Sequence, residues 1–236
     1  MSADAFEARL QDLQDRTDAT LAALEQADRW DEALELYQLA GAEVDALAIP
    51  RNDPPYKGPY REAQRVRAYL YLREANALRA LGRPPEAAAL GDKELEAAWA
   101  SGDMLSIARA TFSLGSTCLA NGDLERGLKL LDDSKGMFEH GQGEDFEQGL
   151  GWWYIIQADI RLGGFVSDTP PAILALADKA LEMVRPLKNW PGVARAHAAR
   201  ARAYDLFGDV EAARLARAAE QMAQGLMHAA RAEDEH

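Results

Sequence analysis

One cysteine in 236 residues, Cys118, rules out an intramolecular disulfide. Four histidines, His140, His197, His228 and His236, are scattered along the chain and mark no ligand cluster. The patterns G-x-x-x-x-G-K-[ST], H-E-x-x-H and C-x-x-C are all missing, and Gly149-Leu150-Gly151 lacks the strand context of a phosphate loop. No catalytic residue, cofactor or metal ion is therefore expected, and the chain reads as non-enzymatic. No apolar run approaches the roughly 20 residues that cross a bilayer. Residues Met1 to Glu7 have neither the basic start nor the apolar stretch of a secretory signal. With the single thiol, these features lead to the expectation of a reducing cytoplasm.

Basic residues are also in deficit: 26 Lys and Arg face 39 Asp and Glu, a net charge of −13. Bulk neutralisation of nucleic-acid phosphates is disfavoured by that balance. The charge is uneven. Residues 1–50 carry 12 acids and 3 bases, net −9, whereas residues 51–110 carry 8 acids and 10 bases, net +2. A locally basic surface therefore survives within an acidic protein, while the acidic start reads as a solvated end cap.

What remains is helix-forming. Ala, Leu, Glu and Arg dominate, and apolar residues recur at intervals of three and four, broken by turn signals. The punctuation predicts helix pairs at 3–27 with 30–48, 60–81 with 84–100, 103–121 with 124–140, 144–162 with 170–187, and 191–207 with 210–231. Gly82-Arg83-Pro84-Pro85 ends one helix and starts another, since proline's missing N–H costs little in a first turn. Asn121-Gly122-Asp123 and Phe207-Gly208-Asp209 repeat the device with Asp as N-cap. Ile49 to Pro59 holds four prolines and cannot be a continuous helix; it reads either as a lid over a binding face or as a spacer. Residues 232–236 read as a frayed tail.

The pairs repeat. Leu78 to Ala87, Cys118 to Gly127 and Tyr204 to Ala213 each run from a large residue through a turn glycine, Gly82, Gly122 or Gly208, to a small residue five positions later. Leu114-Gly115 with Gly127 and Leu131 is the fullest copy. Tyr71, Ala75, Leu78 and Ala87 take the equivalent places in the second pair, and His197, Ala201, Tyr204 and Ala213 in the last. Gly115 is expected to face Gly127, and Ala75 to face Ala87, so that large neighbours wedge between helices. Cys118 and His197 then read as packed residues rather than as nucleophile or ligand.

These residues resemble the tetratricopeptide repeat (TPR), with a longer unit: Gly82 and Gly122 lie 40 residues apart, against roughly 34 in the ordinary repeat. The longer unit is similar to the sensor and scaffold versions found in bacterial regulators. The resemblance implies an all-α fold, a right-handed α-α superhelix or TPR-like solenoid of about five helix pairs, forming a single domain over residues 1–236. It also implies that the first helix of each pair lines a concave face. In that register the facing residues are Tyr69, Arg73 and Asn76, with Leu72 and Arg79, then Arg109, Phe112 and Ser116, with Ser113. Trp153, Gln157 and Arg161 follow from the fourth pair, and Arg195 and Arg202 from the fifth.

Arginine and amide donors alternating with aromatics suit an extended peptide carrying carboxylates. The expected partner is thus a protein or peptide with acidic groups. The chaperone-carboxylate clamp of some TPR domains is not carried over: only Asn76 matches it, and Leu72, Ser113, Leu150 and Tyr154 fill the other places. Two alternatives stay open. One is a ligand- or signal-peptide-sensing module with a pocket closed by the proline-rich segment. The other is a homodimer built on the stripe Leu215, Ala219, Met222 and Leu226 of the last helix, which capping of the fifth pair would equally use.

Overall fold

The computed structural model describes residues 3–26, 28–47 and 58–234. Ten α-helices account for nearly all of them: α1 (Ala3–Gln26), α2 (Trp30–Ala46), α3 (Pro59–Ala80), α4 (Pro84–Ser101), α5 (Met104–Ala120), α6 (Leu124–His140), α7 (Glu144–Leu162), α8 (Pro170–Val184), α9 (Trp190–Phe207) and α10 (Val210–Asp234). The proline-rich segment lies outside the described residues except for Gly58 and Pro59, which open α3.

The turns follow one hydrogen-bond plan. Arg83 N–H donates to the Leu78 carbonyl, Asp123 N–H to Cys118 and Asp209 N–H to Tyr204, at 2.8, 2.9 and 3.1 Å. Each bond spans a glycine with positive φ, Gly82, Gly122 or Gly208, which is the geometry a side chain at that position would strain. Asp123 and Asp209 then cap the next helices, accepting from Arg126 N–H at 3.3 Å and Ala212 N–H at 3.0 Å. The same long bond closes the turn at Arg29, where Asp28 takes the left-handed place without a glycine.

Two boundaries differ from the sequence expectation by three residues; the others fall within two. α8 ends at Val184 rather than 187, because Pro186 has no N–H for the ladder and Lys188 turns with φ 52°. α10 continues to Asp234, three residues beyond the expected end.

The chain divides into two compact units, residues 1–134 and 135–236, with the boundary inside α6. In the first unit, paired helices pack on each other and α1 touches α3 while α3 touches α5, so each pair's leading helix stacks on the next. Its core joins Leu10, Tyr37, Val44, Leu70, Leu78 and Ala87. Farther along, Leu114 packs onto the bare backbone of Gly91: a Cβ there would stand 2.7 Å from the Leu114 Cδ1. In the second unit α7 packs on α8, α8 on α9, α9 on α10, and α7 on α9. Ile155, Leu181, Val184 and Val193 form its core, with Ile173 and a set of alanines in a smaller cluster. Cys118 and His197 are buried, in keeping with their reading as packing residues.

Candidate functional site

In the first unit, Tyr69, Arg73, Asn76 and Arg79 follow one another at intervals of four, three and three on α3, which puts them on one face. The Arg73 guanidinium stands 5.9 Å from the ring centre of Tyr37 and 6.0 Å from that of Tyr69. Its Nε donates to the Tyr37 hydroxyl at 3.1 Å. Two electron-rich ring faces and a hydroxyl thus hold one cation. Tyr69 donates its own hydroxyl to Asp18 of α1. One turn farther, Arg79 donates through Nη2 to Asn76 Oδ1 at 2.5 Å and through Nη1 to Thr117 Oγ1 of α5 at 2.6 Å. Asn76 therefore positions an arginine, and its amide oxygen is committed.

On α5, Arg109, Phe112 and Ser116 are half-buried. The Ser116 hydroxyl donates to the Phe112 carbonyl of its own helix at 3.0 Å, which satisfies it locally. Ser113 is buried and turned toward Glu94 of α4.

Glu94 is absent from the sequence-based site, which counts carboxylates as outward-facing. It is 1% exposed. Ser113 hydrogen-bonds its carboxyl, Arg79 lies within electrostatic reach, and Oε2 has no hydrogen-bond partner. Burial pushes its pKa up to about 8 against the opposing pull of Ser113 and Arg79, so the acid form prevails at neutral pH. The signal was present: Ala87, Gly91, Glu94 and Ala98, at intervals of four, three and four, are the buried stripe of α4.

In the second unit, Trp153, Gln157 and Arg161 share a face of α7. Trp153 meets Tyr154 edge-on, with ring centres 5.2 Å apart at 87°, and Lys135 Nζ lies 5.4 Å from the Trp153 ring centre. Gln157 is buried and accepts from Arg161 Nη1 at 2.6 Å through its side chain and 3.0 Å through its carbonyl. It braces the arginine and offers little to an incoming ligand. Arg161 Nε donates to Asp168 at 2.8 Å. Arg195 and Arg202 of α9 both address Asp159 of α7, at 2.9 and 3.8 Å. Asp159 and Asp168, which the sequence pattern did not bring into the face, thus offset much of its positive charge.

His197 of α9 is buried with Nδ1 unpartnered and Nε2 3.4 Å from Arg185 Nη2. Burial, with Arg200 and Arg185 beside it, lowers its pKa to about 4, which keeps the ring neutral. Among the described residues, no group of three or more His, Cys, Asp or Glu is placed to hold a metal ion, and no helix is long and apolar enough to cross a membrane.

Stacked helix pairs with a shared turn plan define a TPR-like helical repeat fold, and solved structures agree. The chain is similar to BtubC (BKLC) from P. vanneervenii, at 15% identity and a TM-score of 0.63, over 94% of this chain and 83% of that one. It is also similar to two structures of TPR-like repeats of a putative kinesin light chain from Podosopora anserina. These align at 15% and 16% identity with TM-scores of 0.52 and 0.51, covering 97% and 92% of this chain and 99% and 96% of theirs. No family model matches the chain, and no curated protein sequence matches it.

Proposed function

We propose that the chain is a non-enzymatic scaffold that binds a protein or peptide through the leading helices of its repeats, with a preference for segments bearing carboxylates. The observation that carries the reading is Arg73 held between Tyr37 and Tyr69, with Asn76 and Arg79 on the next turn. Arginine so oriented gives bidentate bonds to a carboxylate, and the flanking rings supply rigid apolar area at little entropic cost. The second unit adds a parallel set, Trp153 beside Lys135 on one part and Arg195 with Arg202 on another.

The test is affinity capture with the intact chain and with Arg73, Arg109, Arg161 and Arg195 all changed to Glu. Acidic partners are expected to be lost from the reversed protein. An unchanged set of partners removes the reading.

A second reading, homodimerisation through α10, draws on one observation. Leu215, Met222 and Leu226 of the last helix are 56%, 69% and 41% exposed, while Ala213, Ala216 and Ala223 take the buried side. Light scattering that finds only monomer at high concentration excludes it.

A further inference from the structure

A cavity of about 230 Å³ opens between α2 and α3 in the first unit. Two polar pairs cross it from helix to helix: Arg67 with Asp45, and, two turns away along both helices, Glu74 with Gln38, whose Nε2 donates to Glu74 Oε1 at 3.1 Å. Between those pairs, Leu70 and Tyr71 of α3 and Gly41 and Ala42 of α2 form the walls. Glycine inside a helix is destabilising relative to alanine, and a positive φ or a close approach of neighbours ordinarily accounts for it. Gly41 has neither: its backbone is helical, and a Cβ placed on it would meet nothing within 4 Å. Its bare backbone keeps the cavity open.

Three charged groups line the space, Asp45, Arg67 and Glu74. Arg67 and Asp45 neutralise each other, and Arg73, outside the lining, is engaged by Tyr37 and Tyr69. Glu74 is half-buried, and among the described residues it is bonded only by the neutral amide of Gln38; its Oε2 carries no bond and is open to solvent. One negative charge is left over, beside a helix from the stretch 1–50 whose net charge is −9. Anions are repelled there, and an uncharged apolar ligand takes water from a carboxylate without replacing it. A cation meets both demands. Since Gln38 already bonds Oε1, the two-oxygen grip that favours a guanidinium is half used. An ammonium brings three donors on one point charge, and Glu74 Oε2, Gln38 Oε1 and the Tyr71 hydroxyl are three acceptors with no other partner among the described residues. Leu70, Ala42 and the Tyr71 ring offer apolar surface to an alkyl stem. At roughly 30 Å³ per heavy atom, the share of a water molecule in the liquid, a lysine side chain fits.

We propose that this cavity receives a lysine side chain from a partner protein, the ammonium donating to Glu74, Gln38 and Tyr71 while the stem lies on Leu70 and Ala42. It goes beyond the acidic-segment reading, because it lies in the groove between α2 and α3 and takes the opposite charge.

The test titrates the full chain with a capped Gly-Gly-Lys-Gly-Gly peptide and follows the ¹³C methyl resonances of Ala42 and Leu70. Saturable shifts are expected, and the same peptide with its lysine Nζ acetylated, or with alanine in place of lysine, is expected to give none. Gly41→Met keeps every charge and fills the space, so it is expected to abolish saturation with an unchanged or higher melting temperature. Glu74→Gln is expected to weaken binding about tenfold, the effect of losing one charge-assisted hydrogen bond. Binding that survives Gly41→Met overturns the proposal, because it reports attraction to the acidic surface alone. Equal affinity for the acetylated peptide, or an unaltered affinity in Glu74→Gln, overturns it as well. An arginine peptide that binds more tightly than the lysine peptide overturns the assignment of an ammonium.

Discussion

The backbones of Gly115 and Gly127 touch across α5 and α6. A Cβ on Gly127 would stand 3.0 Å from the Gly115 carbonyl oxygen and 2.7 Å from Leu119 Cγ, and a Cβ on Gly115 would stand 3.1 Å from the Gly127 carbonyl oxygen and the Leu131 nitrogen. Three of these four contacts are to backbone, which cannot rotate away; only Leu119 is a side chain. Gly127→Leu is therefore expected to destabilise the chain by about 1–3 kcal/mol through overpacking. Gly115→Ala is expected to act in the same direction, because its new methyl meets backbone on two sides. Thermal or urea denaturation measures both, and unchanged midpoints would show that these helices do not cross there.

Glu94 makes stability depend on pH. Its pKa is raised from 4.5 to about 8 on folding, so the native state holds a proton that the unfolded chain releases between those values. The sign follows: its contribution is most favourable below pH 4.5 and is lost as pH rises to 8, by on the order of 1.4 kcal/mol per unit at most. Glu94→Gln is expected to remove that slope and to raise the melting temperature at pH 8. A melting temperature that drops at pH 8 would mean that the ionised carboxylate is the native form.

His197 has the opposite sign. Its pKa falls from 6.5 to about 4 on folding, so the unfolded chain binds the extra proton. Stability from this group is full above pH 6.5 and is lost as pH falls toward 4. Trp152, Trp153 and Trp190 belong to the same unit as His197 and Trp30 and Trp99 to the other, so tryptophan fluorescence during acid titration, in a background with Trp30→Phe and Trp99→Phe, reports it. His197→Phe is expected to flatten the dependence between pH 6.5 and 4; an unchanged slope would assign the acid sensitivity elsewhere.

Asp159 sets the charge presented by α9. Replacing it with Asn frees Arg195 and Arg202 from their shared carboxylate. The pair is exposed on its arginine side, and its stability contribution is accordingly small, about 0–1 kcal/mol. Capture of an acidic partner is expected to strengthen several-fold in Asp159→Asn and to weaken in Arg195→Glu. If neither variant alters capture, α9 takes no part in binding.

Much of the fold was legible because glycine and proline act locally. Gly82, Gly122 and Gly208 fall at the left-handed places of three turns with one hydrogen-bond plan, and the Leu78, Cys118 and Tyr204 that begin the repeated window are the carbonyls those turns use. Pro186 was misread because apolar periodicity continues through Leu187 while the backbone does not. The site was less legible, since its polar partners come from other helices. Nothing near Arg195 in sequence points to Asp159, 36 residues earlier, and nothing near Tyr69 points to Asp18. Glu94 is the exception: its interval from Gly91 and Ala98 marks it as inward-facing, and treating all carboxylates as solvated hid it.

The thiol of Cys118 is enclosed at the end of α5, and burial raises its pKa. A sulfur so shielded and so reluctant to ionise is a poor target for alkylating reagents in the intact protein. Its labelling kinetics thereby become a built-in clock for how often the α5 terminus opens, with no engineered probe required.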